Sequence, residues 1–123
     1  MDTIVDQTQS AIDYAGELTV QLRKGFIVEC VLLVAEHPAY ASEIITKLEE
    51  AELDVVEGTI YPLLSRLSRD GLLVHQWQES PQGPPRKYYQ ITDYGKAVRI
   101  HLAESMTKLN QVIKSLRKEQ TNE

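Results

Sequence analysis

A single cysteine, Cys30, is all the chain holds for disulfide or soft-metal chemistry. One thiol excludes an intramolecular disulfide and a multi-cysteine zinc site, and it fits a reducing compartment. Histidine is nearly as scarce. His37, His75 and His101 fall on different segments with no i,i+4 pairing, so no metal centre is expected. Long apolar runs are missing too: the stretch from Cys30 to Ala35 is far too short to cross a bilayer. The opening MDTIVDQTQS has neither a basic cluster nor an apolar block, so no signal peptide and a cytoplasmic location are expected. A glycine-rich phosphate loop, a nucleophile–base pair and a paired-carboxylate motif are also absent. No enzyme class has a specific signal, and no cofactor is expected.

Positive charge is sparse where the chain begins. Residues 1–56 carry 3 basic and 11 acidic side chains, a net of −8, whereas 57–96 net +1 and 97–123 net +2. The total of −5 argues against a general basic coat for nucleic acid. The stretch 57–73, EGTIYPLLSRLSRDGLL, nevertheless sits in a locally non-acidic region. With 123 residues the chain reads as one domain with a modest core, for which help from a partner subunit is natural.

Hydrophobic periodicity sets the element order. Residues 1–19 read as a helical arm, with Ala11, Ile12, Ala15 and Leu18 at helical spacing and Gly16 interrupting. Residues 20–36 read as a helix on a stripe of Leu22, Phe26, Ile27, Cys30, Val31 and Val34, ended by His37-Pro38. A short helix over 42–51 follows, with Ser42 as its expected N-cap and Ile44, Ile45 and Leu48 inward. The third helix is the 57–73 stretch. Pro62 lies near its start, Ile60, Leu63, Leu64 and Leu67 face inward, and Asp70-Gly71 closes it. From residue 72 the period turns to alternation. A hairpin is expected over 72–80 and 86–92 around the turn PQGPP, with Trp77 packed at the edge of the core. Thr92 or Asp93 then caps a long helix over 93–118, and 119–123 is a polar, frayed tail.

Three helices, a hairpin and a helix are the order of a winged helix-turn-helix. The expected fold is mainly α with a small two-stranded β-wing, a winged helix-turn-helix over 20–92 plus a long C-terminal dimerisation helix. A helix entering a major groove needs one apolar face to anchor it and one face free of carboxylates, which phosphates repel. The third helix meets both needs, showing Thr59, Tyr61, Ser65, Arg66, Ser68 and Arg69 outward with Glu57 alone at its head. Arg86 and Lys87, after PQGPP, are candidates for phosphate contact from the wing tip. Ser42 and the backbone N–H groups beside it could serve another phosphate. The last helix has a stripe too long for so small a core to cover, with Leu102, Met106, Leu109, Ile113 and Leu116 as its expected interface. A two-fold dimer would space two recognition helices about 34 Å apart, one DNA turn.

The same residues carry a family resemblance. EGTIYPLLSRLSRDGLL, then Trp77, the Pro/Gly-rich turn, RKYYQIT and DYG, resemble the PadR-like transcriptional regulators, in particular the smaller subfamily with a single C-terminal helix. RKGF at 23–26 and AYASEI at 39–44 extend the likeness over about residues 20–116. One departure is visible: Ala41 and Ser42 stand where the family often has Gly-Tyr. The resemblance implies DNA contact by Thr59 and Tyr61. It also implies a dimer in which the last helix packs on the partner's first helix, bringing in Leu22 and Phe26. Further, it implies response to a small aromatic or lipophilic effector, for which a cleft near Phe26, Cys30 and Met106 is the candidate. The expectation is a sequence-specific, ligand-responsive repressor acting as a homodimer on a palindromic operator in double-stranded DNA, with no membrane role. The competing expectation is a winged helix used only for protein–protein contact, which would suit the acidic first half.

Overall fold

A computed structural model describes residues 3–121. Four helices and three strands run in the order α1 (Thr3–Val34), β1 (Ala39–Tyr40), α2 (Ala41–Glu50), α3 (Glu57–Arg69), β2 (Leu73–Ser80), β3 (Gly83–Ile91) and α4 (Asp93–Thr121) among the described residues. The helical arm and the helix expected over 20–36 are one uninterrupted helix. Gly16 and Gly25 sit inside it without breaking it. A lone glycine costs only about 1 kcal/mol in a helix interior, and thirty-odd hydrogen-bonded residues absorb that. At the other end, α4 continues through Glu119 and Gln120 to Thr121, so the helix outlasts the expected stop at 118. Asn122 and Glu123 lie outside the described residues, as do Met1 and Asp2.

The core is aliphatic and lies where α1, α2, α3 and the base of the sheet meet. Val31, Leu32, Ile44, Ile60 and Leu64 are its most deeply buried large side chains. On α1 the expected stripe divides in two. Ile27, Val31, Leu32 and Ala35 enter the core, while Leu22 and Phe26, roughly half a turn away, remain exposed together with Leu33. Ile60, Leu63, Leu64 and Leu67 of α3 are all buried.

Three local expectations are corrected. Tyr40, not Ser42, occupies the N-cap of α2, and its side chain makes no capping hydrogen bond. Ser42 is exposed in the first turn, where its carbonyl accepts a hydrogen bond from Thr46 Oγ1 at 2.9 Å. Pro62 is the sixth residue of α3, beyond the first turn. Its ring removes the helical donor to the Gly58 carbonyl, on the solvent side of the helix. The wing has three strands, in the order β1-β3-β2, all antiparallel. Strand β1 is only Ala39–Tyr40, pairing with Tyr89 and Tyr88, too short to show any periodicity.

The wing turn is also tighter than PQGPP suggests. Only Pro81 and Gln82 connect the strands, and Pro84 and Pro85 belong to β3. A register shift between Gln78 and Ser80 accommodates them, and at that height β3 has no partner on its other edge. Arg86 and Lys87 are therefore displaced from the tip and pair with Gln78 and Trp77. Trp77 is 65% exposed rather than packed at the core edge, because the buried face of β2 ends after Leu73.

A tight junction joins the head to the long C-terminal helix. Gly71, at φ +85°, closes α3, with Leu72 N–H reaching back to the Leu67 carbonyl at 2.9 Å. Thr92 then caps α4: its Oγ1 accepts from Gly95 N–H at 2.9 Å and donates to the Gly71 carbonyl at 2.6 Å. Gly95 presses so closely on this turn that an added Cβ would lie 2.2 Å from the Leu72 oxygen. Thr92→Ala should cost about 1–2 kcal/mol of stability through the lost cap. Gly95→Ala should cost more, roughly 3 kcal/mol, because backbone must move. Urea denaturation of the two variants against the parent checks both the sign and the order.

Candidate nucleic-acid interface

Burial of one face of α3 decides what its other face shows. At about 100° per residue, Gly58, Pro62, Ser65 and Arg69 lie opposite the buried quartet. Tyr61 and Ser68 occupy one flank, Thr59 and Arg66 the other. Thr59, Ser65 and Arg66 are exposed, and Tyr61 is 49% exposed. Arg69 is turned to its neighbour Asp70, Nε to Oδ1 at 3.3 Å, an exposed pair of small energetic consequence. Glu57 is the one carboxylate on this helix, in the first turn, where the helix dipole favours it. Beyond it, the outward surface offers hydroxyls, a phenol and two guanidinium groups.

Arg86 and Lys87 fall on opposite faces of the ribbon, because side chains alternate along a strand. Arg86 stacks its guanidinium 4.4 Å from the centroid of the Tyr40 ring, which itself meets Tyr88 edge-on at 5.4 Å. The stack holds Arg86 beside the start of α2, two residues from Ser42. Lys87 instead lies over Tyr89, Nζ 5.5 Å from the ring centroid, on the face shared with Trp77 and His75. Arg86 and Ser42 are thus brought toward one another, whereas Arg86 and Lys87 are separated. Sequence reasoning passed over Tyr40 and Tyr88. The signal available was an aromatic in AYASEI and another in RKYYQIT, but their pairing depends on the two-residue strand β1.

The remaining nominated residues lie on the two long helices. Leu102 and Met106 are half-buried on α4, and Leu102 lies against α1 at Gly25. Leu109, Ile113 and Leu116 continue the same stripe into solvent, as Leu22 and Phe26 do on α1. Glu36, in the turn just after α1, pairs with Arg99 of α4 at 3.7 Å. Cys30 is partly buried against the core, and burial, then the Glu29 carboxylate, push its thiol pKa up, so it stays a neutral packing group. Arg23 lies inside α1, and its guanidinium donates to the Asp54 backbone carbonyl, which ties the connector before α3 to that helix. No described helix is long and apolar enough to cross a membrane, and no group of metal-ligating side chains occurs among the described residues.

Together these features form a carboxylate-poor helix face with a basic, aromatic-backed strand nearby, a surface suited to a phosphate backbone. Comparison with known proteins points the same way. Residues 31–100 match the transcriptional regulator PadR-like family. The chain is similar to a PadR-like transcription factor from Bacteroides fragilis, with 48% identity and a TM-score of 0.70 over 81% of this chain and 98% of that one. It is similar to a PadR family transcriptional regulator from Eggerthella lenta, with 30% identity and a TM-score of 0.79 over 88% and 96% of the two chains. A PadR-like regulator from Bacillus cereus is 33% identical, with a TM-score of 0.67 over 78% and 95%. These proteins are regulators of transcription, not enzymes. Since the family match spans more than half of its length, this chain belongs to the PadR-like family of transcriptional regulators.

Proposed function

We propose that the protein is a homodimeric, sequence-specific repressor that binds a palindromic operator in the cytoplasm. The carrying observation is the outward face of α3, hydroxyl- and guanidinium-bearing and held rigid by four buried aliphatic side chains. In this reading Thr59, Tyr61 and Arg66 meet the major groove, Ser42 and Arg86 approach one phosphate strand, and Lys87 meets another. The exposed apolar stripes on α1 and α4 support dimerisation, since water-exposed aliphatic rows of this length are costly for a monomer. The interface comprises Leu22, Phe26, Leu102, Met106, Leu109, Ile113 and Leu116. A small aromatic or lipophilic effector enters the cleft between these helices, beside Phe26, Cys30 and Met106, and shifts the spacing of the two recognition helices. Repression follows from blocking polymerase at the bound promoter.

Selection of bound duplexes from a random pool tests the reading directly. A palindrome with half-sites about one turn apart is expected; recovery of no preferred sequence would overturn it. On the selected operator, Tyr61→Ala should lose about 1–3 kcal/mol of specific affinity, read by fluorescence anisotropy, with the dimer intact.

Arg86→Ala with Lys87→Ala should weaken binding to all duplexes and lower the slope of log K against log salt by about 2, one for each phosphate contact. Met106→Glu places a charge in the interface and should yield monomers by sedimentation at concentrations where the parent is dimeric.

A further inference from the structure

Strand β1 consists of Ala39 and Tyr40 alone, and its register sets Tyr40 opposite Tyr88 of β3. Tyr88 meets the Tyr40 ring edge-on, with centroids 5.4 Å apart and planes at 77°. Tyr40 is also the N-cap residue of α2, at φ −88° and ψ 163°, so its backbone is held by a strand pairing and by the start of a helix. Both rings are half-buried. Alternate side chains of a strand share a face, which puts Arg86 on the same side of β3 as Tyr88. The guanidinium carbon of Arg86 lies 4.4 Å from the Tyr40 ring centroid, while the residue stays exposed. Arg86 forms no ion pair among the described residues, so its charge is not neutralised within the subunit. Arg69, by contrast, is already turned to Asp70.

We propose that Tyr40 is a positioning residue for DNA binding: its ring, braced by Tyr88, holds the Arg86 guanidinium ready for a backbone phosphate. This role deepens the DNA-binding reading above and rests on it. A guanidinium meets a ring with its flat face and a phosphate with its N–H edge, so the two contacts do not compete. An unsupported arginine on an exposed strand samples many rotamers and loses that freedom when it meets an anion. The stack orders the side chain beforehand, so less freedom is lost at binding. Tyr88 acts one step further back, its edge setting the tilt of the Tyr40 ring. Lys87 gains nothing comparable. Its Nζ lies 5.5 Å from the Tyr89 centroid, on the other face, and an ammonium is a compact charge with no edge to aim.

The test uses the full-length protein and the duplex selected as its operator, with binding read by fluorescence anisotropy over a series of salt concentrations. Tyr40→Leu keeps an apolar side chain on β1 but removes the ring. It should lose about two- to fivefold in operator affinity, the range of one exposed cation–π contact. Its slope of log K against log salt should stay that of the parent, because the phosphate contact is still made. Arg86→Ala removes the contact itself and should lower that slope by about 1. With Arg86→Ala already in place, Tyr40→Leu should have no further effect. Tyr40→Phe retains the ring and should restore parent affinity. A loss from Tyr40→Leu that is equally large with and without Arg86 would place its action in the fold of the head and overturn the role. Parent-like binding by Tyr40→Leu, or Tyr40→Phe as weak as Tyr40→Leu, would overturn it as well. A second arm needs no DNA: the Arg86 side-chain protons should resonate upfield in the parent and return downfield in Tyr40→Leu. Identical positions in the two proteins would refute the stack itself. If the parent binds no duplex even at low salt, the DNA reading falls and the positioning role with it. If the parent binds and the two substitutions are simply additive, the positioning role falls alone.

Discussion

Burial of Ile60, Leu63, Leu64 and Leu67 is the interaction on which the rest depends. A helix of 13 residues with a proline inside would not persist alone in water. Packed against Val31, Leu32 and Ile44, it does, and stability drawn wholly from one face leaves the opposite face free to be chosen for contact. Each buried aliphatic contributes about 1.5–3 kcal/mol. That is ample to offset the roughly 3 kcal/mol which an interior proline costs.

Rigidity must also pass from this helix to the rest of the molecule. The turn at Gly71 and Leu72 receives Thr92 and Gly95, so the end of α3 and the start of α4 share one set of backbone groups. The end of β3 is tied to the end of α1 through Ile91 N–H and the Ala35 carbonyl at 2.8 Å. The end of α3, the start of α4 and the end of α1 are thus joined by a short chain of hydrogen bonds through backbone groups and the Thr92 hydroxyl. Glu52, at φ +66°, is a contrasting point, a non-glycine residue in left-handed conformation closing α2. Its neighbour Leu53 bonds back to Leu48 at 2.9 Å, and that bond offsets part of the steric cost.

The surface divides by chemistry. Acid is concentrated before residue 57 along the chain, and α3 itself carries only Glu57, in its first turn. Aliphatic side chains that the core does not take line up on α1 and α4, two helices that extend well beyond the head.

Sequence by itself determined the existence of the helices, the inward residues of α2 and α3 and the glycine stop at residue 71, and it narrowed the cap of α4 to Thr92 or Asp93. Each is a local matter of spacing or of one residue's conformational freedom. It could not show where α1 begins, since helix length depends on continuous hydrogen bonding rather than on stripe quality. Nor could it reveal β1, because a two-residue strand has no period and exists only through its pairing with Tyr88 and Tyr89. From that pairing come the stack of Arg86 on Tyr40 and the separation of Arg86 from Lys87. Trp77 shows the same limit: alternation assigned it a face, but only the packed domain decided that the core ends before reaching it. Which side chains meet across the fold is settled by long-range pairing, and pairing leaves no mark in a single strand's spacing.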